Sequence, residues 1–310
     1  MEYCFGVDIG GTSVKLGLFQ TDGTLKEKWE IPSRTENEGA AILPDIAETL
    51  EKKLSDTGIS KKLVRGIGMG IPAPVDEKGI VQKTANLGWG YKEVKREFEE
   101  LTGLPAAAGN DANVAALGEM WLGAGKGCKD LVMVTLGTGV GGGIIVNGLP
   151  LTGSNGAGGE IGHICVNYEE KERCGCGKQG CLEQYASATG IARIARLRLH
   201  KNDDPSILRG RRVSAKMVFD ALKEGDPVAE EIVEEFGSYL GHALANIAVI
   251  TDPAVIVIGG GVSRAGEILL DYVEKYYHEK AFFSNQKVRF VLAKLGNDAG
   301  ICGAAKLILS

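Results

Sequence analysis

The sequence lacks the features that mark membrane, secreted and nucleic-acid-binding proteins. No apolar run approaches the roughly 20 residues that a membrane-spanning helix needs. Positive charge is not in excess, because 35 Lys and Arg stand against 40 Asp and Glu, a formal net charge of −5. The first residues lead directly into a predicted strand, without the basic and apolar regions of a signal peptide. We therefore expect a cytoplasmic protein with no membrane or nucleic-acid partner.

Two well-known phosphate-binding signatures are also missing. The Walker sequence G-x-x-x-x-G-K-[ST] does not occur, and the glycine turns between strands lack the following helix of a dinucleotide fingerprint. Glycine itself is abundant, with 45 residues gathered mainly in short clusters at the ends of apolar runs. Glycine at such places lets the backbone approach a ligand closely or adopt positive φ.

Two glycine clusters share one pattern: a strand, a Gly/Thr turn and a second strand. They are Val7-Asp8-Ile9-Gly10-Gly11-Thr12 and Val134-Thr135-Leu136-Gly137-Thr138-Gly139. Turns of this kind expose backbone N–H groups that bind phosphate, although the first could equally be an ordinary hairpin turn. A third cluster, Gly259-Gly260-Gly261, lies between a predicted strand and a predicted helix, where a helix N-terminus favours anions. Together the three clusters predict a nucleotide site.

Asp8 lies beside the first of these turns, and its carboxylate suits Mg²⁺, held directly or through water. The alternative is an aspartate that stabilises the turn. Lys15 could reach phosphate from the next strand or could face solvent, so we assign it no role.

Asn110 and Asp111 follow a predicted strand and open a predicted helix. Both side chains can therefore project from a strand end into a ligand site. The alternative for Asp111 is the N-cap of the helix, a position where aspartate is favoured.

Seven cysteines is an odd count, and Cys174, Cys176 and Cys181 crowd together with His163 close before them. One imidazole and three thiolates form a Cys₃His set, which suits tetrahedral Zn²⁺ with no open position. The alternative is a lone histidine near reduced thiols. Cys165 is close in sequence but lies outside the pattern. We predict a structural zinc site.

The order of elements predicts an α/β protein with two lobes around a ligand cleft. The expected lobes are residues 1–118, the smaller, and 119–298, the larger with the zinc loop; a closing helix near 299–310 is expected to pack back on the first. The predicted strands are 3–8, 14–19, 64–70, 104–109, 131–136, 143–146, 255–258 and 288–292, and the predicted helices 43–54, 112–122, 228–250, 266–277 and 299–309.

Six motifs in order carry a resemblance to the ROK family (repressors, open reading frames, kinases) over essentially the whole chain. They are DIGGTSVKLGLF, GNDANVAALGE, TLGTGVGGG, GEIGH, CGCGKQGCLEQYAS and LGNDAGICGAA. The resemblance implies a two-lobed actin/hexokinase-like fold that binds ATP and sugar in its cleft. Within the family the sequence looks most like bacterial ATP-dependent glucokinases, so we expect a hexose kinase that makes glucose 6-phosphate and ADP.

The resemblance also implies site residues. Asp111 would accept the proton of the sugar 6-hydroxyl, orienting the oxygen and taking the proton late, because an ordinary aspartate is far too weak a base to ionise an alcohol beforehand. The side chains expected to bind the sugar hydroxyls are Asn86, Asn110, Asp111, Glu160, His163 and Glu183. Zinc would orient His163 and the loop that carries Glu183, so its removal is expected to weaken sugar binding and leave the ATP turns untouched.

One departure concerns the family's usual G-x-P-G-P-V-D, which is GIPAPVD here, with Ala73 in place of glycine. The sugar therefore stays open among glucose, N-acetylmannosamine, N-acetylglucosamine and fructose. A non-catalytic sugar-binding regulator is the alternative outside enzymes. The family implies a homodimer or homotetramer.

Overall fold

Strands and helices alternate along the whole chain in this computed structural model, which describes residues 1–310. The strands are β1 (Tyr3–Ile9), β2 (Ser13–Gln20), β3 (Leu25–Pro32), β4 (Val64–Ile71), β5 (Ile80–Val81), β6 (Lys92–Glu93), β7 (Ala106–Asn110), β8 (Leu131–Leu136), β9 (Val140–Val146), β10 (Leu149–Pro150), β11 (Val255–Gly259) and β12 (Arg289–Leu292). The helices are α1 (Glu36–Gly39), α2 (Ile42–Thr57), α3 (Val94–Thr102), α4 (Asp111–Leu122), α5 (Glu183–Ala186), α6 (Ala188–Lys201), α7 (Ala215–Lys223), α8 (Pro227–Thr251), α9 (Glu267–Lys280) and α10 (Ala299–Leu307).

The chain forms two compact units, and the expected mixed α/β class is confirmed. The first unit comprises Met1–Lys129, Gly143–Gly159 and Lys294–Ser310, and the second comprises Asp130–Gly142 and Glu160–Ala293. The division thus falls after Lys129 rather than between residues 118 and 119, and the chain returns to the first unit twice.

The first sheet has the strand order β3-β2-β1-β4-β7. β1 pairs antiparallel with β2, whereas β1, β4 and β7 run parallel to one another. Since the carboxyl ends of parallel strands meet at one edge of a sheet, the segments that follow these three strands lie close together.

Helix α10 packs within the first unit against β1 and β4, and this close approach is possible because glycines at the contacts have no side chains. A Cβ on Gly6 would lie 1.9 Å from the Ile301 carbonyl oxygen, and one on Gly68 would lie 1.8 Å from that of Ala304. On its other side α10 meets α4, where a Cβ on Gly303 would lie 1.6 Å from the Val114 carbonyl oxygen. The last helix is therefore part of the core of the first unit.

The second sheet has the order β10-β9-β8-β11-β12, in which β8, β11 and β12 are parallel. Helix α8 begins at Pro227, a position where the missing N–H of proline costs no hydrogen bond. The Asp226 carboxylate caps the helix by accepting from the N–H groups of Val228 and Ala229. No helix combines the length and the apolar character that crossing a bilayer requires.

Most predicted elements are confirmed with shifted ends, while among the longer elements β3, α3, α6 and α7 were not predicted individually. The returning strand begins at Val140 rather than 143, so the second glycine turn is only three residues long. The helix expected from 266 starts at Glu267, after a separate 3₁₀ turn over Val262–Ala265. β3 is an edge strand whose charged side chains are exposed, and only Trp29 and Ile31 pack partly against the core, which is too short an apolar pattern to mark a strand in the sequence.

Candidate active site

The carboxyl edge of the first sheet gathers three predicted site segments. Asp8 on β1 is paired with Gly70 on β4, and Gly70 is paired with Gly109 on β7. Asn110 and Asp111 follow Gly109 directly. The expected magnesium partner and the expected catalytic aspartate therefore lie at the same edge of one sheet, on strands separated only by β4.

The first glycine turn is a tight hairpin between β1 and β2. The Gly10 N–H donates to the Ser13 carbonyl at 2.9 Å, while Gly11 and Thr12 are exposed. A Cβ on Gly11 would lie 3.0 Å from the Cβ of Asn86. Asn86, expected to bind sugar, thus packs beside this turn.

Burial raises the pKa of the Asp8 carboxyl, and the charge of Lys15 partly opposes that rise. Lys15 is directly opposite Asp8 in the β1–β2 register, so both side chains project from the same face of the hairpin. On the other side, a Cβ on Gly300 would lie 2.5 Å from Asp8 Oδ2. The carboxylate is thus confined between the sheet and the start of α10, with the ammonium group of Lys15 as its neighbouring charge.

The N-cap of α4 is Asn110 rather than Asp111. The Asn110 side-chain oxygen accepts from the N–H groups of Ala112 at 3.0 Å and Asn113 at 3.2 Å. Asp111 is the first residue of the helix and accepts from the Ala112 N–H at 2.8 Å. Asn110 therefore already fills the role of helix cap, which was the competing explanation for Asp111.

Asn110 also holds the loop that carries the unusual alanine. Its Nδ2 donates to the Ala73 carbonyl at 3.2 Å, which leaves one amide hydrogen for any further partner. Asn113, which the sequence reasoning missed, is buried and donates to the Gly158 carbonyl at 3.0 Å. The GNDAN motif thus fixes two loops from the start of one helix.

The second glycine turn lies in the second unit, where residues of the GCLEQYASAT segment hold it. The Ala188 N–H donates to the Gly137 carbonyl at 2.8 Å, and the Thr189 hydroxyl donates to that of Thr138 at 2.7 Å. Thr138 is exposed at the tip, and Thr135 is half-buried on β8. This turn is therefore anchored on the start of α6.

Glu183 contacts both this turn and the cysteine loop. Its Oε2 accepts from the Val140 N–H at 3.2 Å, and a Cβ on Gly139 would lie 2.1 Å from the same oxygen. Its Oε1 lies 3.5 Å from the Cys174 sulfur. The carboxylate expected to bind sugar is thus also a brace between two loops, which the sequence spacing did not reveal.

The four predicted zinc ligands come together. The ligating atoms of His163, Cys174, Cys176 and Cys181 all lie within 4.8 Å of one another. The sulfurs of Cys176 and Cys181 are 3.6 Å apart, and a tetrahedral ion with Zn–S bonds of about 2.3 Å needs about 3.8 Å. Burial raises the pKa of the Cys181 thiol to about 12, and a bound cation would oppose that rise by stabilising the thiolate. The donor set fits zinc, and Cys165 is outside the group.

A network of hydrogen bonds and ion pairs holds the residues that precede the cysteine loop, Glu170 and Glu172, against α5 and α6. The Tyr185 hydroxyl donates to Glu170 at 2.5 Å, and Arg193 on α6 donates to Glu170 at 2.6 Å and to Glu172 at 2.7 Å. The Tyr185 ring stacks on Tyr239 of α8 at 4.0 Å. These partners hold the pKa of the Glu170 carboxyl down to about 2 against the effect of burial, which raises it.

The third glycine cluster ends β11 beside β8. Gly260 has φ +85°, and a Cβ there would lie 2.5 Å from the Leu136 carbonyl oxygen, so only glycine fits. Gly261 has open space around it and lines a cavity of about 400 Å³ with Phe219, Lys223 and Arg264 among its walls. This cavity is of a size that accepts a small molecule.

Two remaining predicted residues lie in the second unit. Glu160 is exposed and precedes the short 3₁₀ turn Ile161–His163. A Cβ on Gly162 would lie 2.1 Å from the Val140 carbonyl oxygen, so the GEIGH segment packs against the start of β9. Glu160 and His163 are thereby held next to the same strand that Glu183 contacts.

Comparison with known proteins gives a consistent result. The model of the ROK family matches residues 4–310. The chain is 45% identical to the glucokinase of Halalkalibacterium halodurans over 309 residues, which cover 98% of this chain and 94% of that protein.

Two solved structures are similar over nearly their full length. The ROK hexokinase from Thermus thermophilus superposes with a TM-score of 0.82 at 32% identity, covering 98% of this chain and 96% of that one. A ROK family glucokinase from Streptomyces griseus, solved in complex with glucose and AMPPNP, gives a TM-score of 0.74 at 34% identity and covers 98% of both chains.

Proposed function

This chain belongs to the ROK family, and from that premise we propose that it is an ATP-dependent glucokinase with the family's actin/hexokinase-like fold. The observation that carries the proposal is near-full-length similarity to glucokinases, together with two glycine turns of the same design, one in each unit. The reaction transfers the γ-phosphoryl group of ATP to the 6-hydroxyl of glucose.

In this reaction the 6-oxygen forms a bond to the γ-phosphorus while the bond from that phosphorus to the β,γ-bridging oxygen breaks. ADP carries away the electron pair of the broken bond, and the hydroxyl proton passes to the Asp111 carboxylate. Because bonding to the nucleophile is weak at the transition state, the main task of Asp111 is to aim the oxygen. The Asn110 cap supports this assignment, since it fixes the position of Asp111 at the helix start.

We assign the nucleotide to the three glycine clusters. The N–H groups and hydroxyls of Gly10, Gly11, Thr12, Thr135, Gly137, Thr138 and Gly139 would contact phosphate oxygens. The cavity beside Gly259, Gly260 and Gly261 would take the nucleoside, with Phe219 as its aromatic wall. Asp8 would hold Mg²⁺, which neutralises the developing charge on the transferred group.

Glucose would be bound by Asn86, Asn110, Asp111, Glu160, His163 and Glu183. Carboxylates and amides of fixed direction are what a site needs in order to distinguish hydroxyl positions. The internal contacts of these residues refine the assignment. Asn110 has a single amide hydrogen to offer, and Asn86 lies against the first turn, so Glu160, His163 and the lone pairs of Glu183 that its contacts with Val140 and Cys174 leave free are expected to carry most of the recognition.

Zinc bound by His163, Cys174, Cys176 and Cys181 would be structural, because all four positions are filled by protein. The Nδ1 atom of His163 faces Cys174, so the metal would bind Nδ1 and leave Nε2 for another partner. The earlier expectation that zinc leaves the ATP turns untouched is revised, because Glu183 contacts both Cys174 and the second turn.

A coupled assay tests the function. Catalytic efficiency, kcat/KM, is measured with ATP for glucose, N-acetylmannosamine, N-acetylglucosamine and fructose, with Asp111→Asn as the inactive control. Glucose should be preferred; preference for an N-acetylated sugar would move the substrate assignment, and no turnover with any of them would favour a sugar-binding regulator. We also propose a cytoplasmic homodimer or homotetramer, which light scattering of the purified protein checks.

A further inference from the structure

Arginine is concentrated in one part of the chain that the proposed reaction does not use. Six of the twelve arginines fall between residues 193 and 212, in a chain whose net charge is −5. In the second unit this stretch forms most of α6 and the loop that leads to α7. Five of the six line one cavity of about 900 Å³: Arg193, Arg196, Arg209, Arg211 and Arg212.

Carboxylates do not balance this charge. Arg193 is paired with Glu170 and Glu172, but Arg196, Arg211 and Arg212 form no ion pair. Asp203 is the only acidic side chain in the wall of the cavity, which His200 also lines. Three guanidinium groups on one concavity repel one another unless an anion lies between them.

The loop itself is held by Arg209, whose hydrogen bonds go to backbone carbonyls. Arg209 donates to the carbonyls of Leu199 at 2.9 Å, Asn202 at 2.6 Å and Asp204 at 2.7 Å. These are neutral acceptors, so the bonds fix the guanidinium without neutralising it. The wall formed by Arg209, Gly210 and the next two arginines is therefore built onto the end of α6.

The rim of this cavity touches the nucleotide machinery. Thr189 lines the cavity, and its hydroxyl is the group that donates to Thr138 in the second glycine turn. Val213 lines it as well, and the next residue, Ser214, lines the cavity assigned to the nucleoside. A ligand among the arginines would thus border both elements.

We propose that this cavity, which we call the arginine pocket, binds a small molecule bearing several phosphate groups, and that its occupation changes the affinity for ATP through Thr189. Guanidinium groups form paired hydrogen bonds with phosphate oxygens, and a multivalent anion satisfies several of them at once. The volume is that of a small-molecule site, and the concave shape and negative net charge disfavour an extended nucleic acid. The effect on ATP rests on the proposed kinase function, whereas the binding does not.

Calorimetric titration with inorganic tripolyphosphate tests the binding on the full chain, without nucleotide and again with ADP, with Mg²⁺ in excess over both anions; the arginine variant then shows which part of the binding belongs to the arginine pocket. The test variant is Arg196→Gln with Arg212→Gln, both exposed residues. The matched control is Arg65→Gln, an exposed arginine of the first unit. In the arginine pocket we expect one site per chain, about tenfold or more weaker in the double variant, unchanged in the control and weakened by salt. Melting curves check that all three proteins are folded.

Equal affinity in the wild type and the double variant would overturn the proposal, and so would the absence of binding to the wild type. Binding of a single-stranded oligonucleotide through the same arginines, without binding of tripolyphosphate, would also overturn it. The coupling is tested by KM for ATP with and without tripolyphosphate. Thr189→Val should still bind the anion yet lose its effect on KM; an effect that persists in this variant refutes the role of Thr189. A chain without kinase activity would fail the KM measurement alone and leave the calorimetric result standing.

Discussion

Gly139 offers a sharp test of the link between the second glycine turn and the metal loop. In Gly139→Ala the new Cβ would lie 2.1 Å from Glu183 Oε2 and 3.1 Å from its Cδ. To reach an ordinary contact of roughly 3.5 Å, the carboxylate would have to retreat by roughly 1.4 Å. That movement breaks its 3.2 Å hydrogen bond to the Val140 N–H and displaces it from the proposed sugar position.

A hydrogen bond to a charged group contributes roughly 1.5–3 kcal/mol. We therefore expect kcat/KM for glucose to fall roughly ten- to hundredfold, with KM for ATP rising as well. Steady-state kinetics in a coupled assay gives both values. Zinc content measured on the same preparations shows whether the displaced carboxylate also loosens the loop around Cys174.

Gly137→Ala is the matched control, because it lies in the same turn and a Cβ there meets nothing within 4 Å. Its KM for glucose should stay near normal, since neither glycine needs a positive φ and this Cβ does not reach Glu183; any change should be confined to KM for ATP, whose phosphates this turn is proposed to contact. If the two variants raise KM for glucose equally, the turn simply rejects side chains and the contact with Glu183 is not the reason. If Gly139→Ala is as active as the wild type, the bracing role of Glu183 is refuted.

Three further predictions concern other residues. Asp111→Asn should lower kcat by orders of magnitude without lowering the melting temperature, whereas Asn110→Ala should cost about 1 kcal/mol of stability as a lost cap; reversed outcomes would exchange their roles. Cys176→Ser should lower zinc content and melting temperature, while Cys165→Ser, outside the ligand group, should leave both unchanged. Burial raises the pKa of Asp8 in the folded state. At pH values above that pKa the buried carboxylate is charged and lowers the stability of the fold, whereas below the ordinary aspartate pKa of 3.8 it is protonated in both states and has no effect. Asp8→Asn should therefore raise the melting temperature of the ligand-free protein at pH 7, with the gain vanishing as pH falls to about 4, and the absence of that trend contradicts the burial argument.

The parts of the site that the sequence could predict are those formed by residues close together along the chain. The four zinc ligands are close in sequence, and the Cys₃His set needs only short loops to close around an ion, so proximity could be inferred. The strands β1 and β8 are apolar runs that end in glycine, which marks both their type and their boundary.

The contacts that the sequence could not predict are hydrogen bonds between side chains and particular backbone groups, because these depend on which backbone groups the fold leaves without a backbone partner. Asn110 and Asp111 are both good caps, and only the structure shows that the Asn110 oxygen takes the helix N–H groups. Glu183 follows a zinc ligand by two residues, yet its contact with Val140 joins segments 43 residues apart. No spacing rule reports such a contact. The same holds for the lobe boundary, because residues 143–159 return to the first unit through contacts such as that of Asn113 with Gly158.

The position of α10 has a consequence for how the chain is made. Its residues pack against Gly6 of β1, Gly68 of β4 and Val114 of α4, so the first unit lacks a central part until residue 294 and beyond have been synthesised. The ribosome delivers the N-terminal strands first, and they have to wait through the synthesis of the whole second unit with an open groove. The second unit, which is continuous from 160 to 293, can complete most of its own structure meanwhile. The first unit is therefore expected to fold last, and the docking of α10 onto its sheet is expected to complete its core.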